Sequence, residues 1–564
     1  MREFVEEDGK GKHTFFEQQL SIINAPEHPS AEYFIYKSII LHNLYGVDIM
    51  KEAVEIAKLR LFLKLVATVD VDYRKPNLGL EPLPDIDFNI RSGNTLVGYA
   101  MLADLDKGDQ GGLFGDEEKK AILSEADVVS RAYARFKDAQ LVMHSDPKKY
   151  KGAKDELSER LAVLNGKLNK HLAVMHIGDN HSKEAYAKWL DSHQPFHWLA
   201  EFYTIIVQGG FDVIIGNPPY VEYSKVRDSY RVVGFSTLEC NNLYTLVSER
   251  SGNLLSNFGH LGLILPNSSL SAEKMGRLQD VQCSFGISWV SSYSWRPSKL
   301  FDGANMLLAI WLVKKNIHRK VFSTRYHRWQ NEFRNMLFQT LLYSDVTTLR
   351  TAIRIPKSPG LSYHNILEKC HESSHGRKLK DYLCEGSGKN KLFYFRAVLY
   401  WFKVLIAKPV FREDGKNQET SEMKELVFKD EIDRNLIGAF ISSNLFSLFY
   451  TVWSSCQVVN SPDFDLPFEL NALKNNYGKE LSKLFLELMS DLEENSILQK
   501  REYSSRGREF TMVKQYYFLR KSKPIIDKID NVLAKHYGFT EEELDFIINY
   551  DIKYRMGKEL EGEE

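Results

Sequence analysis

The stretch Asp212 to Tyr220, reading Asp-Val-Ile-Ile-Gly-Asn-Pro-Pro-Tyr, constrains this chain more than any other. Val213, Ile214 and Ile215 form a short β-branched run, which predicts a buried central strand. Gly216 ends it, and Asn217-Pro218-Pro219-Tyr220 follows as a rigid turn. Two prolines fix φ and supply no backbone N–H, so the segment cannot continue into a sheet or a helix interior. The turn therefore presents a fixed pair of acceptors, the Asn217 side-chain oxygen and the Pro218 carbonyl, with the Tyr220 ring beside them. Two acceptors and a ring suit an exocyclic amino group on a flat base. Open α/β sheets also place their ligands at the carboxyl ends of strands.

At these residues the chain resembles the N6-adenine DNA methyltransferases, whose amino-methylating motif is Asn-Pro-Pro-Tyr. The surrounding order of elements agrees. Leu44 to Ile49 reads as a strand ending in Asp48, followed by a densely apolar helix over Ala53 to Val69. Ile86 to Ile90 reads as a second strand, leading into the polar turn Arg91-Ser92-Gly93-Asn94-Thr95-Leu96. Past the Asn217 turn, Gly259 to Asn267 reads as a further buried strand. Ser291 to Leu312, with Arg296 to Gly303 inside it, leads to a last strand over Met306 to Val313. These stretches and the tail Gly538 to Asp545 are similar to the large methyltransferases of the Eco57I type, found in type IIG restriction–modification and related phage-defence systems.

The resemblance implies a fold and a site. The fold is α/β, a Rossmann-like class I methyltransferase sheet that is incomplete at its N-terminal side, with a helical insertion and a C-terminal mixed α+β DNA-recognition domain. The cofactor is S-adenosylmethionine. Asp48 would accept from its ribose hydroxyls, with Ile49 beside it, and Asn94 and Thr95 would meet its adenine. Asp48 has a plainer reading too, as an aspartate capping the helix that follows. Asn217, Pro218, Pro219 and Tyr220 are the catalytic residues. Tyr220 and a second ring, Tyr293 or Phe301, would sandwich a target adenine flipped from the duplex, because N6 cannot meet a methyl donor inside the stack. No metal is called for.

One element of the family is missing. Its members begin with a strand and a glycine-rich turn that approaches the methionine end of the cofactor, where only glycine lets the backbone come close. Asp8-Gly9-Lys10-Gly11 follows a stretch too polar and short for a buried strand, and Gln110-Gly111-Gly112-Leu113 lies after the wrong motif. The expectation is a truncated or split enzyme whose first strand comes from a separately encoded N-terminal segment, by strand addition. A restriction subunit is the other expected protein partner. No nuclease is evident, since Pro462-Asp463 with Glu469 and Lys474 is a poor match to a Pro-Asp…Glu-x-Lys metal site.

The length of 564 residues admits several domains, and 43% hydrophobic content supports a large core. The net charge of −1 hides an asymmetry: Trp311 to Arg412 holds 20 Lys/Arg against 6 Asp/Glu. Aromatics interleave it (Tyr326, Trp329, Phe333, Phe393, Tyr394, Phe395, Tyr400, Trp401), as phosphate neutralisation and base contact require. A solvated basic face over an aromatic core is the competing reading. The expected division is a catalytic domain over 1–315 with a charged helical insertion at about 105–194, a target-recognition domain over 316–530 binding double-stranded DNA, and an acidic helical tail over 531–564. The insertion carries Leu157, Leu161, Leu164 and Leu168 at helical spacing and reads as an arm projecting from the core. Five scattered cysteines argue against zinc or a disulfide framework. With no signal peptide and no membrane-length apolar helix, a cytoplasmic location is expected. Two other functions stay open: methylation of RNA adenine or protein glutamine, and a catalytically silent DNA-recognition or assembly subunit.

Overall fold

The computed structural model describes residues 12–557 apart from 26–27, 29, 70, 75–77, 79, 108–114, 142–146, 387, 399 and 506–507. The glycine-bearing stretches 8–11 and 110–113 and the acidic end 558–564 therefore lie outside the described residues. The chain is a mixed α/β structure in two compact units, Met1–Ile214 with Val221–Gly259, and Ile215–Tyr220 with His260–Glu564.

In the first unit, β1 (Gly46–Asp48) pairs in parallel with β2 (Ile90–Ser92), bringing Asp48 opposite Ser92. The expected strand over Ile86 to Ile90 is instead a turn that becomes extended only at Ile90. The cause is Asn89. Its buried Nδ2 donates to the carbonyls of Ile40, Leu41 and Leu44 at 3.2, 2.9 and 3.1 Å, satisfying the end of the helix Ala31–Asn43. A side chain turned inward to cap a helix holds its own backbone out of the ladder. The helix Lys51–Val66 buries Val54 and Leu65 and leaves a second apolar ridge, Ile56, Leu59, Leu63 and Val66, exposed.

The insertion consists of the helices Asp116–Leu141, Pro147–Ile177 and Lys183–His193. It is not an arm projecting from the core. Leu157, Leu161, Leu164 and Leu168 are buried with Ile122, Val129 and Phe136 in a cluster that also holds Phe88, Tyr99 and Leu199. Lys154 ties the hairpin to Asp87 at 2.9 Å and also pairs with Asp85. An apolar helix face has to be buried somewhere, and here the core itself is the surface it meets.

A six-stranded sheet runs in the order β3 (Phe211–Gly216), β4 (Leu255–Pro266), β6 (Leu308–Lys315), β5 (Gly286–Tyr293), β7 (Lys320–His327), β8 (Ser344–Asp345). β6 runs antiparallel between β4 and β5, while β5 and β7 are parallel. β6 is therefore an inner strand, not the last of the sheet. β7 lies past residue 316 and still pairs with β5.

β3 departs most from expectation. Among the described residues it is an edge strand, not a central one, with Val213 63% and Ile215 82% exposed. Three β-branched residues at an open edge leave a row of backbone donors and acceptors beside apolar surface, an arrangement natural sheets usually cover.

The rest of the second unit packs two small sheets and several helices around one large core. The sheets run β10 (Val404–Leu405), β9 (Asn390–Phe395), β13 (Met423–Phe428) and β12 (Lys416–Asn417), β11 (Phe411–Glu413), β15 (Arg508–Tyr516), β14 (Ile497–Ser505). The tail explains itself locally. Gly538 takes φ +68° to end the helix Lys523–Tyr537, and Thr540 and Glu543 then exchange capping bonds that start the next helix. No single helix among the described residues is long and apolar enough to cross a membrane, and the bent pair Glu431–Ser442 and Asn444–Trp453 is buried in this core.

The basic stretch divides between surface and interior. Tyr326, Trp329, Tyr394 and Trp401 are core residues, so these four rings are not free to stack on bases. Buried Arg354 pairs with Asp463 at 3.0 Å, and buried Arg328 pairs with Asp551. Lys357, also buried, donates to the Ser454 carbonyl at 2.5 Å. Arg319, Arg325, Arg396 and Arg412 remain exposed. The Asp463, Glu469 and Lys474 side chains serve separate ion pairs, with Arg354, Arg377 and Asp433 respectively.

Two buried histidines set an acid limit. Burial pushes His197 down to about 3, and burial with a contribution from Arg325 pushes His327 down to about 4. Both folded values lie below the ordinary 6.5, so on acidification the unfolded chain takes up the proton first. Their stabilisation is present above pH 6.5 and is lost as pH falls, by about 3 kcal/mol each at pH 4. The melting temperature should already fall between pH 6.5 and 5, above the carboxylate range. A flat profile there would contradict the neutral buried state of both rings.

Candidate active site

The Asn217 turn is built from the end of β3. Asn217 and Pro219 are exposed, Pro218 is buried and Tyr220 is half-buried. The Tyr220 hydroxyl lies 3.0 Å from Asn217 Oδ1 and 2.9 Å from the Ile264 carbonyl, near the end of β4. One phenolic proton serves one acceptor at a time, so Ile264 is a second place for that proton. Burial pushes the phenol up to about 12, which keeps it a neutral donor. The two prolines fix the backbone and this hydroxyl steadies the amide. The sheet comes close here as well: a Cβ on Gly216 would sit 3.4 Å from the Leu263 side chain.

Tyr220 packs one flank against a cluster of Tyr293, Leu300, Leu308, Trp329 and Leu337. Tyr293 is 0% exposed, its hydroxyl bonded to Ser291 Oγ at 2.9 Å and its ring packed by His327, Trp329 and Phe338. No ring face is left for a base, and the stacking role expected of Tyr293 gives way to a core role. Phe301, 40% exposed in the loop before β6, keeps an accessible face.

In the first unit, Asp48 and the Asn94 turn come together at the ends of β1 and β2, where Gly93 N–H donates to the Asp48 carbonyl at 2.9 Å. Asp48 is exposed, and its Oδ1 accepts from Met50 N–H at 2.8 Å. That bond steadies the turn ahead of the helix, whose N-cap is Met50 and not Asp48, and leaves Oδ2 open to solvent. Ile49 beside it is exposed. Asn94 is buried, its Oδ1 accepting from Leu96 N–H at 3.1 Å while its Nδ2 has no hydrogen-bond partner. A buried donor left unmatched costs about 1–3 kcal/mol, which a ligand acceptor would recover. Thr95 Oγ1 is engaged by Trp198 Nε1 at 3.1 Å. An exposed carboxylate beside a buried unmatched amide donor fits the ribose and adenine of S-adenosylmethionine.

Two supports of this turn went unread in the sequence. Phe196 packs so closely that a Cβ on Gly93 would lie 2.9 Å from it, so glycine is required by contact with a residue about a hundred positions on. Asn94 N–H donates to the Gln194 carbonyl and Phe196 N–H to the Val97 carbonyl, both at 2.8 Å. The helical insertion thus leaves and re-enters through a pinned backbone. The only local signal was an aromatic beside a proline at 195–196, too common to single out.

Residues 42–285 match the model of the Eco57I restriction-modification methylase family. A putative type II restriction enzyme and methyltransferase of Methanocaldococcus jannaschii is 28% identical over 386 residues, 60% of this chain. The match covers only 32% of that relative's length. Among solved structures, the type IIL restriction-modification enzyme MmeI in complex with DNA is similar at TM-score 0.39 and 10% identity, covering 96% of this chain and 76% of that one. A nuclease-deletion mutant of the type ISP enzyme LlaGI with a DNA substrate mimic is similar at TM-score 0.31 and 9% identity, covering 90% and 71%. These two likenesses are too loose to fix a residue correspondence. The family match spans both Asp48 and the Asn217 turn, so the part of this chain that carries them is similar to the Eco57I restriction-modification methylase family.

Proposed function

We propose that the chain is the catalytic and target-recognition part of a site-specific DNA methyltransferase that acts on N6 of adenine. The reading is carried by one observation: an exposed Asn217 amide, steadied by the Tyr220 hydroxyl, on a turn whose two prolines fix the backbone φ. Asn217 Oδ1 and the Pro218 carbonyl accept the two N6–H bonds of a flipped adenine. That pulls the nitrogen lone pair out of conjugation with the ring and makes it nucleophilic. Asn217 Oδ1 has two lone pairs, so it accepts from the base while keeping its bond from the Tyr220 hydroxyl. Tyr220 and Phe301 offer aromatic surface to the base. Asp48, with Ile49, would hold the ribose of S-adenosylmethionine, and Asn94, with Thr95, its adenine. When bound, the cofactor supplies the methyl group on a positively charged sulfur. The protein's share is orientation and electrostatics.

The open edge of β3 offers a surface for strand addition beside Val213 and Ile215. Double-stranded DNA as substrate, a restriction or phage-defence setting and a cytoplasmic location belong to the same reading. Residues 316–530 supply the recognition surface, with the exposed Arg325, Arg396 and Arg412 as phosphate contacts.

Methyl transfer from labelled S-adenosylmethionine to duplex DNA tests it. Mass spectrometry of digested DNA should show N6-methyladenine. Label in RNA or on protein glutamine would overturn the substrate assignment, and saturating cofactor binding without transfer to any acceptor would make this a silent recognition subunit.

A further inference from the structure

A cavity lies in the second unit, at the end of the sheet opposite the Asn217 turn. It has a volume of about 480 Å³ and is lined by Arg277, Asp280, Arg319, Thr347 and Arg350 over a floor that includes Val281 and Val321. The topology fixes its place. The helix Gly276–Ser284 runs into the start of β5, and Val321 is the second residue of the parallel β7, paired with Ser288. Tyr293, at the other end of β5, belongs to the cluster that holds Tyr220. Eight residues of strand at ~3.3 Å each put roughly 25 Å between the two ends.

The chemistry of the wall is one-sided. Three guanidiniums meet one carboxylate, and that carboxylate, Asp280, is already paired with Arg350. Among the described residues Arg277 and Arg319 form no ion pair, and Arg350 keeps a buried Nε with no hydrogen-bond partner. Burial pushes the Cys283 thiol up to about 11, so it adds no negative charge to offset them. The volume falls within the ~300–1,000 Å³ range of small-ligand sites. Several convergent guanidiniums match the oxygens of a phosphate better than a single carboxylate, because each can donate two parallel bonds.

We propose that this cavity binds a small free phosphate-bearing anion of the pyrophosphate or nucleoside-phosphate class, at a site separate from the methyl-transfer turn. A DNA phosphodiester offers the same oxygens, but the position a strand-length away from the Asn217 turn favours a free ligand.

Titration calorimetry of the full chain with pyrophosphate, at constant ionic strength in chloride, decides it. Saturable binding is expected, weakened at least ~10-fold by Arg277→Gln and again by Arg319→Gln. Both side chains are exposed at the rim, so circular dichroism and melting temperature should stay at wild-type values in these variants. Arg396→Gln, an exposed arginine elsewhere, should leave pyrophosphate binding unchanged. Absence of binding, or equal binding by the double variant, would overturn the proposal. So would a loss of affinity for a short DNA duplex in the double variant with no effect on pyrophosphate, because that assigns the arginines to the DNA backbone.

Discussion

Asn217→Ala should lower kcat for adenine methylation at least ~100-fold and leave DNA affinity at the wild-type level. The change deletes an acceptor that gains strength only as the amino nitrogen leaves conjugation, and interactions of that kind appear in kcat, not in ground-state binding. Its neighbour gives a graded control. Tyr220→Phe keeps the ring but removes the hydroxyl 3.0 Å from Asn217 Oδ1, freeing the amide to rotate. A loss of about 10-fold is expected there, the worth of one hydrogen bond that orients a reacting group. Single-turnover methylation and fluorescence anisotropy on the same DNA separate the two effects. Wild-type turnover by Asn217→Ala would remove the Asn-Pro-Pro-Tyr turn from the mechanism.

The second large effect concerns the cofactor. Asp48→Ala should weaken S-adenosylmethionine binding at least ~10-fold. A hydrogen bond to a charged group is worth on the order of 1.5–3 kcal/mol, and the exposed Asp48 carboxylate is the acceptor for the ribose hydroxyls in the proposed site. Calorimetry on the wild-type chain and the variant reads it directly. Undiminished affinity in the variant would show that other residues hold the ribose.

What the sequence disclosed was mostly short-range. The Asn217 turn was legible because proline geometry is a property of the residue itself, and β1 with its following helix because apolar spacing and an acidic end lie within a few positions of each other. What it concealed was set by partners distant in the chain. A β-branched run looks the same whether strands flank it on both sides or on one, so the edge position of β3 could not be read from Val213 to Ile215. Tyr293 and Phe301 are both aromatic in sequence, and only packing makes one a core residue and leaves the other accessible. The basic stretch misled for a related reason: a charge tally gives Arg328 and Arg354, sealed in ion pairs, the same weight as Arg396 at the surface. The leucine spacing of the insertion announced an apolar face without saying that the core would cover it.

The bare edge of β3 makes the state of this chain depend on how much of it is present. Pairing of this edge with the same edge of another copy rises with the square of the chain's concentration, whereas capping by a different strand rises with the product of the two concentrations. Dilute chains stay single without any change in this sequence. Concentrated ones pair along a surface that leads directly into the Asn217 turn.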